Sequence, residues 1–229
     1  MRNYISLLIV FISFTTFSQA VYVEAGKTDS TFEFTNSAGE ELENLQHSMH
    51  NYVRAGYKRS FFTENFNVSL GLGYNSYGAI GSTDILNNFF EWDVDYLGID
   101  LSLDYDLVNF NDFVFFLKAS ASLEFLVQGT QTINNRVINL TDVEEFDDNA
   151  IFLRGGAGFS YPISERSRMY IQYSYGSSLA MNDDNGDSTS SEELKIKTHM
   201  VGIGLVVSIF PKQHEEDVEV EIENDTDTE

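Results

Sequence analysis

Phe66-Asn67-Val68-Ser69-Leu70-Gly71-Leu72-Gly73-Tyr74-Asn75 alternates a large apolar residue with a small or polar one along its whole length. A side chain on the same face at every second position is the period of a β-strand, and no helix face collects residues at that spacing. The pattern recurs downstream. Phe113, Phe115, Leu117, Ala119, Ala121, Leu123 and Phe125 oppose Lys118, Ser120, Ser122 and Glu124. Ile151, Leu153, Ala157, Phe159 and Tyr161 oppose Arg154, Gly156, Gly158 and Ser160. Met169, Ile171, Tyr173 and Tyr175 oppose Gln172, Ser174 and Gly176, and Val201, Ile203, Leu205, Val207 and Ile209 oppose Gly202, Gly204 and Ser208.

Upstream, Val53, Ala55 and Tyr57 alternate with Arg54, Gly56 and Lys58, and a first strand runs from Val21 to about Gly26, with its continuation towards Phe34 left open. In the run from Phe90 the apolar parity is even through Trp92, Val94 and Tyr96, then odd from Leu97 through Ile99, Leu101, Leu103, Tyr105 and Leu107. The change of parity predicts a β-bulge at Tyr96-Leu97. The count is eight strands.

The connections alternate in length. Those at Phe62–Asn65, Val108–Asp112 and Pro162–Ser167 are short, whereas Lys27–Ser48, Ser76–Asn88, Gln128–Asn149 and Ala180–Glu193 are long and polar. Short turns at one end and long loops at the other are the layout of an outer-membrane barrel, turns in the periplasm and loops outside. Aromatic residues flank both sets. Phe61, Phe62, Phe66, Phe110, Phe113, Tyr161 and Tyr170 lie near the turns; Tyr74, Tyr77, Phe89, Phe90, Trp92, Phe125 and Tyr175 lie near the loops. Such girdles suit the two interfaces of a bilayer. A soluble lipocalin-type barrel also alternates over eight strands, but its outer face would be rich in Lys, Glu and Thr. Here the polar face is mostly Gly, Ser and Asn, which suits a crowded lumen. The predicted fold is therefore an all-β, eight-stranded antiparallel transmembrane up-and-down barrel. Val68, Leu70, Leu72, Leu101, Leu103, Leu117, Leu123, Ile171, Ile203, Leu205 and Val207 are expected to face lipid.

Composition narrows the function. The chain has 229 residues, 36 acidic against 13 basic, a formal charge of −23 and no cysteine. The acidity argues against nucleic acid as a partner, and the lack of cysteine excludes disulfides, thiolate metal sites and a cysteine nucleophile. A hydrophobic share of 42% is too high for a disordered chain. Arg2, the apolar stretch Ile5–Phe17 and Ser18-Gln19-Ala20 form the three-part pattern of a secretory signal, with cleavage expected after Ala20. The apolar stretch is short of the ~20 residues that a spanning helix needs. The expected organisation is a signal peptide over 1–20, a barrel over 21–210 and an acidic, disordered periplasmic tail over 211–229.

From Val21 to Phe210 the sequence resembles the small eight-stranded outer-membrane families, the OmpA- and OmpX-like barrel domains. Its last strand, Met200-Val-Gly-Ile-Gly-Leu-Val-Val-Ser-Ile-Phe210, looks like the signal such barrels present to the insertion machinery. It departs from them in the 19 residues that follow Phe210, where that signal usually ends the chain. The resemblance implies the fold and an outer-membrane location, without a peptidoglycan-binding domain.

By parity Arg54, Lys58, Lys118 and Arg154 point inward against Asp100, Asp104 and Glu124. Folding at Asn109–Asn111 puts Lys118 opposite Ser102, with Asp100 and Asp104 diagonal to it. The expectation is an ion-pair network that plugs the lumen; a narrow conducting path is the alternative. For chemistry, His47 and His50 flank Ser48, a His-Ser arrangement with no third group visible in the sequence to orient the base. His199 ends the last strand and His214 lies in the tail. Asp183-Asp184-Asn185-Gly186-Asp187 with Glu192 and Glu193 suggests Ca²⁺, but Gly and Glu are out of EF-hand register. These residues, and Asp142, Glu144, Glu145, Asp147 and Asp148, read as solvated acidic loops. No cofactor, metal site or catalytic residue is assigned. The expected function is non-enzymatic, structural or surface-binding through the acidic loops, with a small porin-like channel and a lipid-directed enzyme as alternatives. Expected partners are outer-membrane lipid and lipopolysaccharide, the barrel-insertion machinery, and an extracellular or periplasmic protein.

Overall fold

The computed structural model describes residues 19–35, 45–83, 88–141, 149–182 and 193–209. The described residues form β1 (Gln19–Thr35), β2 (Gln46–Phe61), β3 (Thr63–Thr83), β4 (Asn88–Phe110), β5 (Phe113–Ile133), β6 (Arg136–Asn139), β7 (Ala150–Pro162), β8 (Ser167–Ser178), β9 (Met181–Asn182) and β10 (Glu193–Ser208). Eight of them are staves, each antiparallel to the next in the order β1-β2-β3-β4-β5-β7-β8-β10. β10 then pairs back onto β1 from Ala20↔Ser208 to Thr35↔Glu193, which closes the ring. Closure gives each of the eight staves a neighbour on both sides, which removes the free edges of the ring.

Burial alternates with the sequence. Leu70 is 57% exposed, Leu72 61%, Leu101 49%, Leu103 42%, Leu117 44%, Leu123 37%, Ile171 50% and Ile203 58%. Val68, Leu205 and Val207 are half-buried at the same outward parity. The inward neighbours of these residues, such as Ser69, Ser102 and Ser122, are buried. The barrel is thus apolar outside and polar inside. On β4 the ten steps from Leu97 to Leu107, at about 3.4 Å each and a tilt of ~40°, climb about 25 Å, the height of a bilayer-facing apolar band.

Three turns are tight, and the first is the single residue Phe62, with φ 62°, between the paired Phe61 and Thr63. Ile133 pairs with Arg136 across Asn134 and Asn135, whose φ values of 48° and 66° match a type I′ hairpin. Phe110 pairs with Phe113, and the intervening Asn111 has φ 54°.

The strands are longer than the sequence pattern suggests. β1 starts before Val21 and continues to Thr35, and β2 begins at Gln46, so most of the expected first loop is barrel wall. β5 likewise runs to Ile133 and turns back as β6, inside the expected third loop. Of the polar residues that read as loop, Lys27, Asp29 and Glu33 lie on the outward face of a wall that rises past the apolar band, and Thr28 and Ser30 are buried inside it. The signal segment up to residue 18, the tail from residue 210 with His214, and the acidic runs 142–148 and 183–192 lie outside the described residues.

The predicted bulge at Tyr96-Leu97 is not there. Tyr96 and Leu97 pair in unbroken register with Asn75 and Tyr74 of β3. The irregularity is on the partner strand: Asp95 pairs with Gln128 and Tyr96 with Leu126, which leaves Val127 of β5 as the extra residue. The apolar parity of β4 changes for another reason. Its even residues face inward from Trp92 to Asp106, and Val94 and Tyr96, both 0% exposed, fill an apolar upper lumen. Three girdle assignments change with them, because Tyr77 and Tyr170 are buried inside the barrel and Trp92 packs against the inner apolar cluster.

Candidate functional site

The lumen has two layers. Beside the short turns and at mid-height it is charged. Lys58 Nζ donates to Asp104 Oδ2 at 2.7 Å. Arg54 Nε lies 3.6 Å from Asp100 Oδ1, and Arg54 Nη2 donates to Asn75 Oδ1 at 3.2 Å. Higher up, Arg154 Nη2 lies 3.0 Å from Glu124 Oε1 and donates to the Tyr77 hydroxyl at 2.7 Å. That hydroxyl donates to Glu124 Oε2 at 2.7 Å, and Ser122 Oγ donates to Oε1 at 2.7 Å. Glu124 therefore meets a cation and two hydroxyls, enough to satisfy both oxygens away from water.

Lys118 does not sit where the turn geometry put it. The two-residue turn at Asn111-Asp112 and the extra residue Leu107 place Lys118 opposite Asp104, and Ser102 faces Ser120. Its amine turns away from Asp104 to donate to Gln172 Oε1 at 3.2 Å, 3.9 Å from Glu24 Oε2. Glu24 is the residue the sequence reading missed. It accepts from Tyr52 at 2.7 Å, from Tyr170 at 2.6 Å and from Gln172 at 2.8 Å. The alternation Tyr22, Glu24, Gly26 was the available signal, since it puts Glu24 inward. Glycine makes the convergence possible. A Cβ on Gly202 would overlap the Tyr52 hydroxyl, and one on Gly204 would overlap the Tyr170 ring.

Towards the long loops the lumen is apolar. Phe32, Tyr77, Val94, Tyr96, Phe152, Leu194 and Ile196 form one buried cluster, joined by Leu140 from beyond β6 and by Met181 of β9. Leu140 is 2% exposed, and its backbone N–H donates to Gly129 O at 2.9 Å. Among the described residues no group of three or more His, Cys, Asp or Glu is placed to hold a metal ion.

The three described histidines, His47, His50 and His199, lie on the wall beyond the apolar band. His47 Nδ1 is 3.3 Å from Asp29 Oδ2, and His199 Nδ1 is 2.8 Å from the Tyr173 hydroxyl. Ser48 Oγ is 2.9 Å from His50 Nε2. The third group absent from the sequence reading is present in space, since His50 Nδ1 lies 3.6 Å from Asp93 Oδ1 on β4. A register shift between His47 and Tyr52 separates β2 from β3 here, and Ser30 Oγ accepts the Gly78 N–H at 2.8 Å.

A closed antiparallel ring, apolar outside and polar inside, defines the class: an eight-stranded up-and-down β-barrel of the transmembrane kind. No family model matches the chain, and no curated protein matches it. In shape it is similar to Neisserial surface protein A, at 14% identity over 82% of this chain and 97% of that one, TM-score 0.44. It is also similar to outer membrane protein OprG from Pseudomonas aeruginosa, at 13% identity over 82% and 95%, TM-score 0.45. A third similar structure is the outer membrane protease OmpT from Escherichia coli, at 8% identity over 84% and 98%, TM-score 0.41. A surface protein and a protease stand side by side in that set, so the likeness is one of fold.

Proposed function

We propose that the chain spans a bacterial outer membrane as a plugged barrel and acts as a structural or surface-binding protein. Its contacts are made by the acidic wall and loops beyond the apolar band, and the lumen carries no reaction. The observation that carries this reading is the charge matching inside. Glu24, Asp100, Asp104 and Glu124 are buried together with Arg54 and Arg154, while Lys58 and Lys118 keep only 22% and 10% of their side chains exposed. Four carboxylates beside four cations leave this layer with no net charge to draw an ion through. The apolar cluster at the loop end adds a dry barrier above them. Lipopolysaccharide and outer-membrane lipid then cover the belt, and the insertion machinery reads β10.

A narrow channel is the second reading. It is favoured by buried polar atoms of the lumen without a hydrogen-bond partner, among them both Asp100 carboxylate oxygens, Asn75 Nδ2 and, higher up, Thr28 Oγ1. Groups of that kind are what buried water satisfies.

The chain has no cysteine, so single introduced thiols report orientation. Val137→Cys, at a position 68% exposed, should react with a membrane-impermeant maleimide on intact cells. Ile163→Cys, at a position 53% exposed, should react only after the outer membrane is permeabilised. Labelling of both on intact cells, or the reverse order, would overturn the spanning orientation.

A further inference from the structure

We propose that Ser48, His50 and Asp93 form an acyl-transfer site on the outer wall of the barrel, directed at esters at the lipid boundary. This goes beyond the surface-binding reading, and its substrate class rests on the membrane placement. The chemistry follows from which nitrogen faces which partner. His50 presents Nε2 to Ser48 Oγ at 2.9 Å and Nδ1 to Asp93 Oδ1 at 3.6 Å. That is the order nucleophile, base, orienting carboxylate, a constellation recognised by geometry and roles rather than by position in the chain. The distance to Asp93 is long for a hydrogen bond, as such contacts often are before substrate binds.

The local fold builds this arrangement. The register shift between His47 and Tyr52 frees this stretch of β2 from its β3 ladder. Gly78 lies beneath the imidazole, where a Cβ would come within 2.5 Å of His50 Nε2. The His50 side chain is only 15% exposed, whereas Asp93 is 58% exposed and open to the outside. The position suggests the substrate. Three residues along β2 from His50 is Val53, 52% exposed, and four along β4 from Asp93 is Leu97, 49% exposed, both at the edge of the apolar band. At ~3.3 Å per residue, the site stands about 10 Å along the wall from that edge. Met49, 68% exposed, adds an apolar contact beside it. An ester carbonyl lifted from the edge of the band into the headgroup layer reaches this level.

In the step proposed, Ser48 Oγ bonds to the ester carbonyl carbon and its proton passes to His50 Nε2. The bond from carbonyl carbon to alkoxy oxygen then breaks, and the departing alcohol takes that proton, leaving the acyl group on Ser48. Water, losing its proton to His50, attacks the acyl group; the carboxylic acid leaves and Ser48 regains its hydrogen. Asp93 holds the Nδ1–H side of the ring and is a positioning residue.

The test uses the full chain refolded in detergent micelles, with folding verified by heat-modifiable mobility on a gel. A fluorophosphonate probe should label Ser48, as mapped by peptide mass spectrometry. Ser48→Ala should abolish the label, and His50→Gln should slow it by at least ~100-fold, the usual scale of general-base assistance. Asp93→Asn should slow it less, and His47→Gln, whose ring faces Asp29, should leave it unchanged. No label on folded wild type, or a label that survives His50→Gln at full rate, would overturn the proposal. A second arm measures fatty-acid release from phosphatidylethanolamine–phosphatidylglycerol vesicles. Release lost in Ser48→Ala supports the lipid-ester assignment; labelling without release overturns it. The micelle arm does not depend on which membrane holds the barrel, so its failure is separable from failure of the spanning orientation.

Discussion

Single side chains in the lumen differ in how much depends on them. Arg154 is the largest case, because Glu124 is 0% exposed and has no other cation in its ion pair. Removing one partner of such a pair typically costs ~3–5 kcal/mol, so Arg154→Met should lower the unfolding free energy of the micelle-refolded protein, read from urea titration, by that amount. Lys118→Met should cost less, since Glu24 keeps three hydrogen bonds from Tyr52, Tyr170 and Gln172. Trp92, the single tryptophan, stacks on Phe90 at 5.9 Å and supplies the fluorescence signal. On the outer surface, Leu70→Arg should cost about 2–4 kcal/mol if that face meets hydrocarbon at mid-bilayer. Equal midpoints for Leu70→Arg and wild type would contradict the facing. The inward parity of Arg54, Lys58, Asp100, Asp104, Lys118, Glu124 and Arg154 was legible from alternation alone. Their pairing was not: Tyr170 and Gln172 lie 146 and 148 residues from Glu24, and only ring closure brings β10 beside β1, with β8 one strand beyond it.

At the scale of the strand, period two is a complete instruction while one face is apolar and the other small and polar. β3, β7 and β8 were readable for that reason. β4 misled because its inner face changes character partway, from Asp104, Ser102 and Asp100 to Tyr96, Val94 and Trp92, as the lumen turns apolar. A change of composition on a fixed face looks in sequence like a slip of register. The same cause hid the length of the walls: beyond the apolar band, Asp29, Glu33, Asp93 and Lys197 point outward as a loop's residues would. Two substitutions test the packing of these elements. Gly202→Ala would drive a methyl group into the Tyr52 hydroxyl, and overpacking of that kind costs ~1–3 kcal/mol. Leu140→Ala empties part of the apolar upper cluster and should cost about 2–5 kcal/mol. A melt of Leu140→Ala indistinguishable from wild type would mean the segment after β6 does not anchor the loop end.

For the whole molecule, the decisive property is where charge resides. The mid-lumen acids and bases match, so the formal charge of −23 is carried outside that layer. An eight-stranded barrel has an interior just wide enough for side chains to fill. With ion pairs at mid-height and an apolar cluster above them, the plug we propose leaves ions no hydrated route from end to end. Single-channel recording in a planar bilayer tests this most directly, using the refolded protein with incorporation verified by co-flotation with vesicles, and Lys118→Met and Leu140→Ala alongside. A filled lumen predicts a silent bilayer for wild type and for Lys118→Met. Reproducible discrete steps from wild type, with a size that changes in Lys118→Met, would contradict it and make the lumen a pore.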